Sequence, residues 1–115
     1  MKKIAIDFDG VIHPYSKGWQ DGQLYDDPVE GTKESLAILV KSGYYIVIFT
    51  TRLNDEENNN VPELKQRVLD YLFKNRILEG EHWHEITCKK PNAIAYIDDR
   101  AIRFTNWKDI EKYFK

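Results

Sequence analysis

The chain is 115 residues long, 42% hydrophobic and 31% charged, with a formal net charge of −2. That length fits one domain over residues 1–115, the apolar content excludes wholesale disorder, and the near-neutral balance excludes a strong general attraction to nucleic acid or an anionic membrane. One cysteine, Cys88, has no partner for an internal disulfide, no stretch reaches the ~18 apolar residues of a membrane span, and no signal peptide is recognisable, which together lead us to expect a cytoplasmic setting.

The first expected element is a strand over Ile4-Ala5-Ile6-Asp7-Phe8. Residues 9–30 are turn-rich and break any periodic pattern, so they read as a loop or small hairpin above the end of that strand. Leu36, Leu39 and Val40 recur at helical spacing, and Gly43 is placed to end that helix. Tyr44 to Thr50 is rich in β-branched and aromatic residues and reads as the second strand. Asp55 to Asn60 reads as an exposed loop. Leu64, Val68, Tyr71 and Leu72 form one helical stripe, with Asn60 and Glu63 spaced as a capping box and Pro62 in the first turn. Two more strands are expected at Glu85–Cys88 and Ala93–Ile97, then a short helix from Trp107 to Phe114 capped by Asn106. The first, second and fourth strands are almost continuously apolar, a pattern of strands covered on both faces. Strands alternating with helices predict an α/β fold with a doubly wound, mainly parallel, Rossmann-like sheet.

In such sheets ligands bind beyond the carboxyl ends of the strands. Those ends carry Asp7-Phe8-Asp9-Gly10, Thr50-Thr51-Arg52, Lys89-Lys90-Pro91 and Asp98-Asp99-Arg100. Taken singly, each has an ordinary reading: a turn, a strand residue, a solvated surface. Taken together, Asp7, Asp9, Asp98 and Asp99 would gather four negative charges. Two like charges ~4 Å apart cost about 4 kcal/mol at an effective dielectric near 20. Either protons or a cation must relieve that repulsion, and an all-oxygen, hard donor set points to Mg²⁺, which in turn favours phosphate.

These four segments, in this order, resemble the haloacid dehalogenase (HAD) superfamily over residues 4–100. The resemblance implies a Mg²⁺-dependent phosphatase that forms an aspartyl-phosphate intermediate. Asp7 is then the nucleophile and Asp9 the general acid and base. Gly10, Thr50 or Thr51, and Lys90 contact the phosphate, with Lys90 preferred over Lys89 because it precedes Pro91. Asp7, Asp9 (through its backbone carbonyl), Asp99 and Asp98 serve the metal, with Asp99 favoured as the direct ligand. An aspartate at position 9 favours phosphoryl transfer over dehalogenation. The intervals between the four segments hold only core elements, which implies a capless member with residues 12–27 as a flap. An uncapped site suits a small phosphorylated molecule, a macromolecular phosphate end, or a homo-oligomer whose partner serves as lid.

Several residues carry two readings. Tyr15 and Trp19 either stack on a nucleobase or pack the flap on the core. His13 either contacts substrate or sits in a turn. Arg52 and Arg100 either touch phosphate or pair with the acidic loops. His82 and His84 read as structural rather than metal-binding, and Cys88 as a small core residue. Two other classes compete with the phosphatase. A phospho-accepting receiver domain would need an aspartate where Thr50 stands, and a non-catalytic binding protein on the same scaffold would not need the full set of acids.

Overall fold

The computed structural model describes residues 2–115. Strand β1, Lys3–Asp7, leads through a long loop into helix α1, Thr32–Lys41, and strand β2, Tyr45–Phe49. Helix α2, Val61–Lys74, strand β3, Glu85–Thr87, strand β4, Ala95–Ile97, and helix α3, Trp107–Lys112, follow. The sheet is four-stranded and wholly parallel, in the order β3-β2-β1-β4. The chain thus steps from β1 to β2 to β3 in one direction, then returns to the other side of β1 for β4. That reversal makes the sheet doubly wound and leaves a crevice between the ends of β1 and β4.

Register explains why β1 and β2 hold the centre. Ile4 lies opposite Ile46 and Ile6 opposite Ile48, so one face of the sheet is a block of branched apolar side chains. Leu36 of α1 and Val68, Tyr71 and Leu72 of α2 pack into the same buried cluster, with Phe8, Ile77 and Trp83 closing it. Gly43 ends α1 in the left-handed region at φ +92°, where a Cβ would strain the backbone.

Local expectations fail in four places. Asn60 sits at the N-cap of α2, but its side chain caps no backbone N–H. The reciprocal box does not form, because the Glu63 carboxylate accepts from Arg67 Nη2 at 2.7 Å instead. Helix α3 stops at Lys112, short of Phe114. Cys88 lies just beyond β3 and is only half-buried, outside the core cluster. Strand β4 is exposed along its whole length rather than covered on both faces. It stands at the sheet edge, and the segment after it does not fold back: α3 buries none of its residues. No described helix is long and apolar enough to cross a membrane.

Candidate active site

The crevice between β1 and β4 collects the acids. Asp7 is the last residue of β1, and Asp98 and Asp99 follow β4 directly. Because β1 and β4 are parallel neighbours, their ends lie side by side. Carboxylate oxygens of Asp7, Asp98 and Asp99 lie within 4.8 Å of one another. Burial first, then the charges of Asp98 and Asp99, pushes the Asp7 carboxyl up from 3.8 to about 7. Three converging carboxylates with all-oxygen donors suit a hard divalent cation, and the raised Asp7 value registers the repulsion that such a cation would relieve. Arg100 N–H donates to Asp98 Oδ1 at 2.9 Å, which closes a tight turn and fixes the pair.

Gly10 explains how this turn comes so close. Its φ is +92°, and a Cβ there would collide with the Asp99 carboxylate. Its N–H donates to the His13 carbonyl at 2.7 Å. Gly10 therefore seats Asp99 against the first loop.

Asp9 is held apart from the three-acid cluster. Arg52 forks onto it, with Nε 2.8 Å from Oδ2 and Nη2 3.0 Å from Oδ1. His13 Nδ1–H donates to Oδ1 at 2.9 Å, while His13 Nε2 accepts from the Asp26 N–H at 3.4 Å. His13 thus bridges the Asp9 carboxylate and the Asp26 backbone. Both Asp9 oxygens are thus occupied, and its side chain is not among the clustered metal-type donors. Arg52, 2% exposed, also donates from Nη1 to the Gly22 carbonyl at 3.0 Å and lies against the rings of Phe8, Tyr15 and Trp19.

Residues 12–27 form the loop above this pair. Tyr71 of α2 donates its hydroxyl to the Asp26 carbonyl at 2.8 Å, and burial raises the Tyr71 phenol far above its ordinary value. Arg67 donates to the Asp21 carbonyl at 2.9 Å. Ser16 donates from both backbone and hydroxyl to Asp26, and these bonds lower the Asp26 carboxyl. The loop is thereby fastened to α2 and, through Arg52, to Asp9.

A cavity of about 280 Å³ opens over these groups, lined by Asp7, Asp9, Tyr15, Thr50, Thr51, Asp98, Asp99 and Arg100. Thr50 and Thr51 both reach it. Thr50 Oγ1 accepts from the Arg52 N–H at 3.2 Å and so also caps the short 3-10 turn Thr51–Leu53. Lys90 borders an adjoining groove together with Asp7, its Nζ 4.7 Å from the centre of the Tyr96 ring. Among the described residues no ion pair joins Lys90 to Asp7. Lys89 is exposed and borders neither space.

Of the two arginines, Arg52 pairs with Asp9, and Arg100 borders the cavity. His13 is fully buried rather than an exposed turn residue. Its ring lies on Asp9, four residues earlier in the chain, after the turn at Gly10. His82 and His84 each use Nδ1 to accept a backbone N–H, from Leu78 at 2.9 Å and Ile46 at 3.0 Å, which agrees with a structural role.

Comparison with family models finds no match, and comparison with curated proteins finds none. Among solved structures, the chain is similar to a Vibrio cholerae protein solved as an MCSG target. The two share 25% sequence identity and a TM-score of 0.58 over 99% of this chain and 97% of the other. That likeness spans essentially both chains and agrees with the α/β architecture described above.

Proposed function

We propose that this protein is a Mg²⁺-dependent phosphatase of the HAD type, acting on a phosphomonoester in the cytoplasm. The observation that carries the reading is the convergence of Asp7, Asp98 and Asp99 at the switch point of a parallel sheet. Asp7, Asp98 and Asp99 would hold the Mg²⁺, with the Asp9 carbonyl as a further oxygen. A bound Mg²⁺ would offset the acidic cluster and screen the charge of a transferring phosphoryl group.

The chain's own residues then divide the chemistry. The Asp7 carboxylate attacks phosphorus, forming a P–O bond to its oxygen as the ester P–O bond breaks. Asp9 would first leave the Arg52 and His13 hydrogen bonds that occupy both its oxygens, take up a proton and give it to the leaving oxygen, and later take one from the water that hydrolyses the aspartyl-phosphate. Thr50, Thr51 and Arg100 border the cavity where phosphate oxygens would lie, and Lys90 stands at its margin. The cavity is open to solvent on one side, which suits either a small phosphorylated molecule or the phosphate end of a larger one.

Hydrolysis of an aryl phosphate tests this directly. Activity is expected with Mg²⁺, lost in EDTA, and abolished by Asp7→Asn. Asp9→Asn is expected to cost roughly 10²–10⁴-fold in kcat, the range for one positioned acid–base group. Full activity in Asp7→Asn would remove the nucleophile. A covalent phosphate that persists for minutes without turnover would favour the receiver reading instead.

A further inference from the structure

Two apolar surfaces of this chain lack a covering layer. The first is the β4 margin of the sheet. Ile94, Tyr96 and Ile97 are exposed there, and a groove of about 280 Å³ runs past Ala5, Phe49 and Tyr96 to Asp7. The second is the C-terminal arm. Phe104, Trp107, Tyr113 and Phe114 are 58%, 73%, 66% and 77% exposed, and the Phe104 and Trp107 rings meet edge to face. The radius of gyration, 15.0 Å, exceeds the roughly 13 Å expected of a compact chain this long.

The size of the exposed area decides what covers it. Aromatic side chains bury roughly 150–250 Å² each, so at these exposures the arm leaves on the order of 600 Å² uncovered and the smaller β4 margin on the order of 300 Å². The largest patch on a typical monomer is about 300–600 Å². A standard interface takes about 800 Å² from each partner.

We propose that a second copy of this chain supplies the cover. Two copies exchange C-terminal arms about a two-fold axis, so that residues 104–114 of each lie on the β4 margin of the other. Both patches are then buried at once, and one symmetric contact closes the assembly. The connection from Arg100 to Asn106 has no helix or strand, and α3 buries nothing on its own chain, so the arm is free to cross. Its acids are already paired within the arm: Asp109 with Lys112 at 3.4 Å and Glu111 with Lys115 at 4.0 Å. Docking the aromatic side therefore strands no carboxylate. The exchanged arm would also wall the groove beside Asp7. The exchange does not depend on the chemistry at Asp7.

Light scattering on the full chain across the micromolar range is expected to give twice the 13.6 kDa chain mass. The double variant Trp107→Glu, Phe114→Glu is expected to halve that mass. Phe73→Glu, at an equally exposed position on α2 outside both patches, is expected to leave it unchanged. A monomeric wild type overturns the exchange, and so does a dimer that the double variant leaves intact. Should the double variant not fold, hydrogen exchange on the wild type decides. Amides 94–97 and 107–112 are expected to be protected in the dimeric sample and to lose that protection when dilution brings the mass down to one chain. Protection that persists in a sample with the mass of one chain means that each arm covers its own sheet, and it overturns the proposal.

Discussion

Asp9 shows how one carboxylate is kept out of a crowd. Three acids converge next to it, yet its two oxygens are taken by Arg52 and His13. Arg52 lies buried between the Asp9 loop and the Gly22 carbonyl, so its removal leaves several polar groups unpaired. Arg52→Ala is expected to cost about 3–5 kcal/mol of folding stability, the range for breaking a buried pair, as read by denaturant unfolding. Arg52→Lys restores the charge but not the fork, and is expected to recover only part of that loss. Asp7 presents the opposite case. Its carboxyl titrates at about 7 in the fold against an ordinary 3.8, so between those values the folded protein binds a proton that the unfolded chain releases. The stability tied to that proton is fully present below the lower value and is lost as pH rises through the upper one. In EDTA, Asp7→Asn should therefore be more stable than wild type near pH ~8, with the gap closing toward pH ~4. A gap that does not vary with pH would contradict this. Gly10→Ala combines left-handed backbone, worth about 1–2 kcal/mol, with displacement of Asp99. It should lower stability, and if Mg²⁺ binds as proposed it should also abolish the rise in Tm expected of the wild type with Mg²⁺.

At the scale of elements, stability concentrates where α2 meets β1 and β2. Val68 and Leu72 are at most 1% exposed. Leu72→Ala is expected to cost about 2–5 kcal/mol, measured by thermal or urea unfolding. This part of the fold was readable from sequence for a simple reason. The runs Ile4–Phe8 and Tyr44–Thr50 are continuously apolar, and Leu64, Val68, Tyr71 and Leu72 keep helical spacing, so local pattern and burial agree. The parts that were not readable depend on distant partners. Glu63 abandons the capping box for Arg67, one helical turn away, whose other nitrogen reaches the loop carbonyl of Asp21. His13 and Arg52 meet at Asp9 across a separation of 39 residues between them, and nothing in either local sequence specifies that meeting. The apolar run ending at Ile97 suggested a strand buried on both faces, but what covers an edge strand is decided by the segment that follows it.

Across the whole molecule, strand order does the positioning. Placing β4 beside β1, rather than beyond β3, brings residues 98 and 99 to residue 7. The acids of the candidate site could be named from the sequence because each follows an apolar run. Their meeting required only the right-handed crossovers and reversal of a doubly wound sheet. The loop over residues 12–27 borders the cavity through Tyr15 and is tied to α2 through Arg67 and Tyr71. Everything chemical follows from whether the Asp7 oxygen bonds to phosphorus. The most direct measurement mixes the protein with Mg²⁺ and an aryl phosphate, quenches it in acid, reduces it with borohydride and maps the peptides by mass. Homoserine at position 7 is the expected result, since borohydride reduces an acyl phosphate but spares a free carboxylate. Release of phosphate with residue 7 recovered only as aspartate, and the reduction mark absent or on another acid, would contradict it.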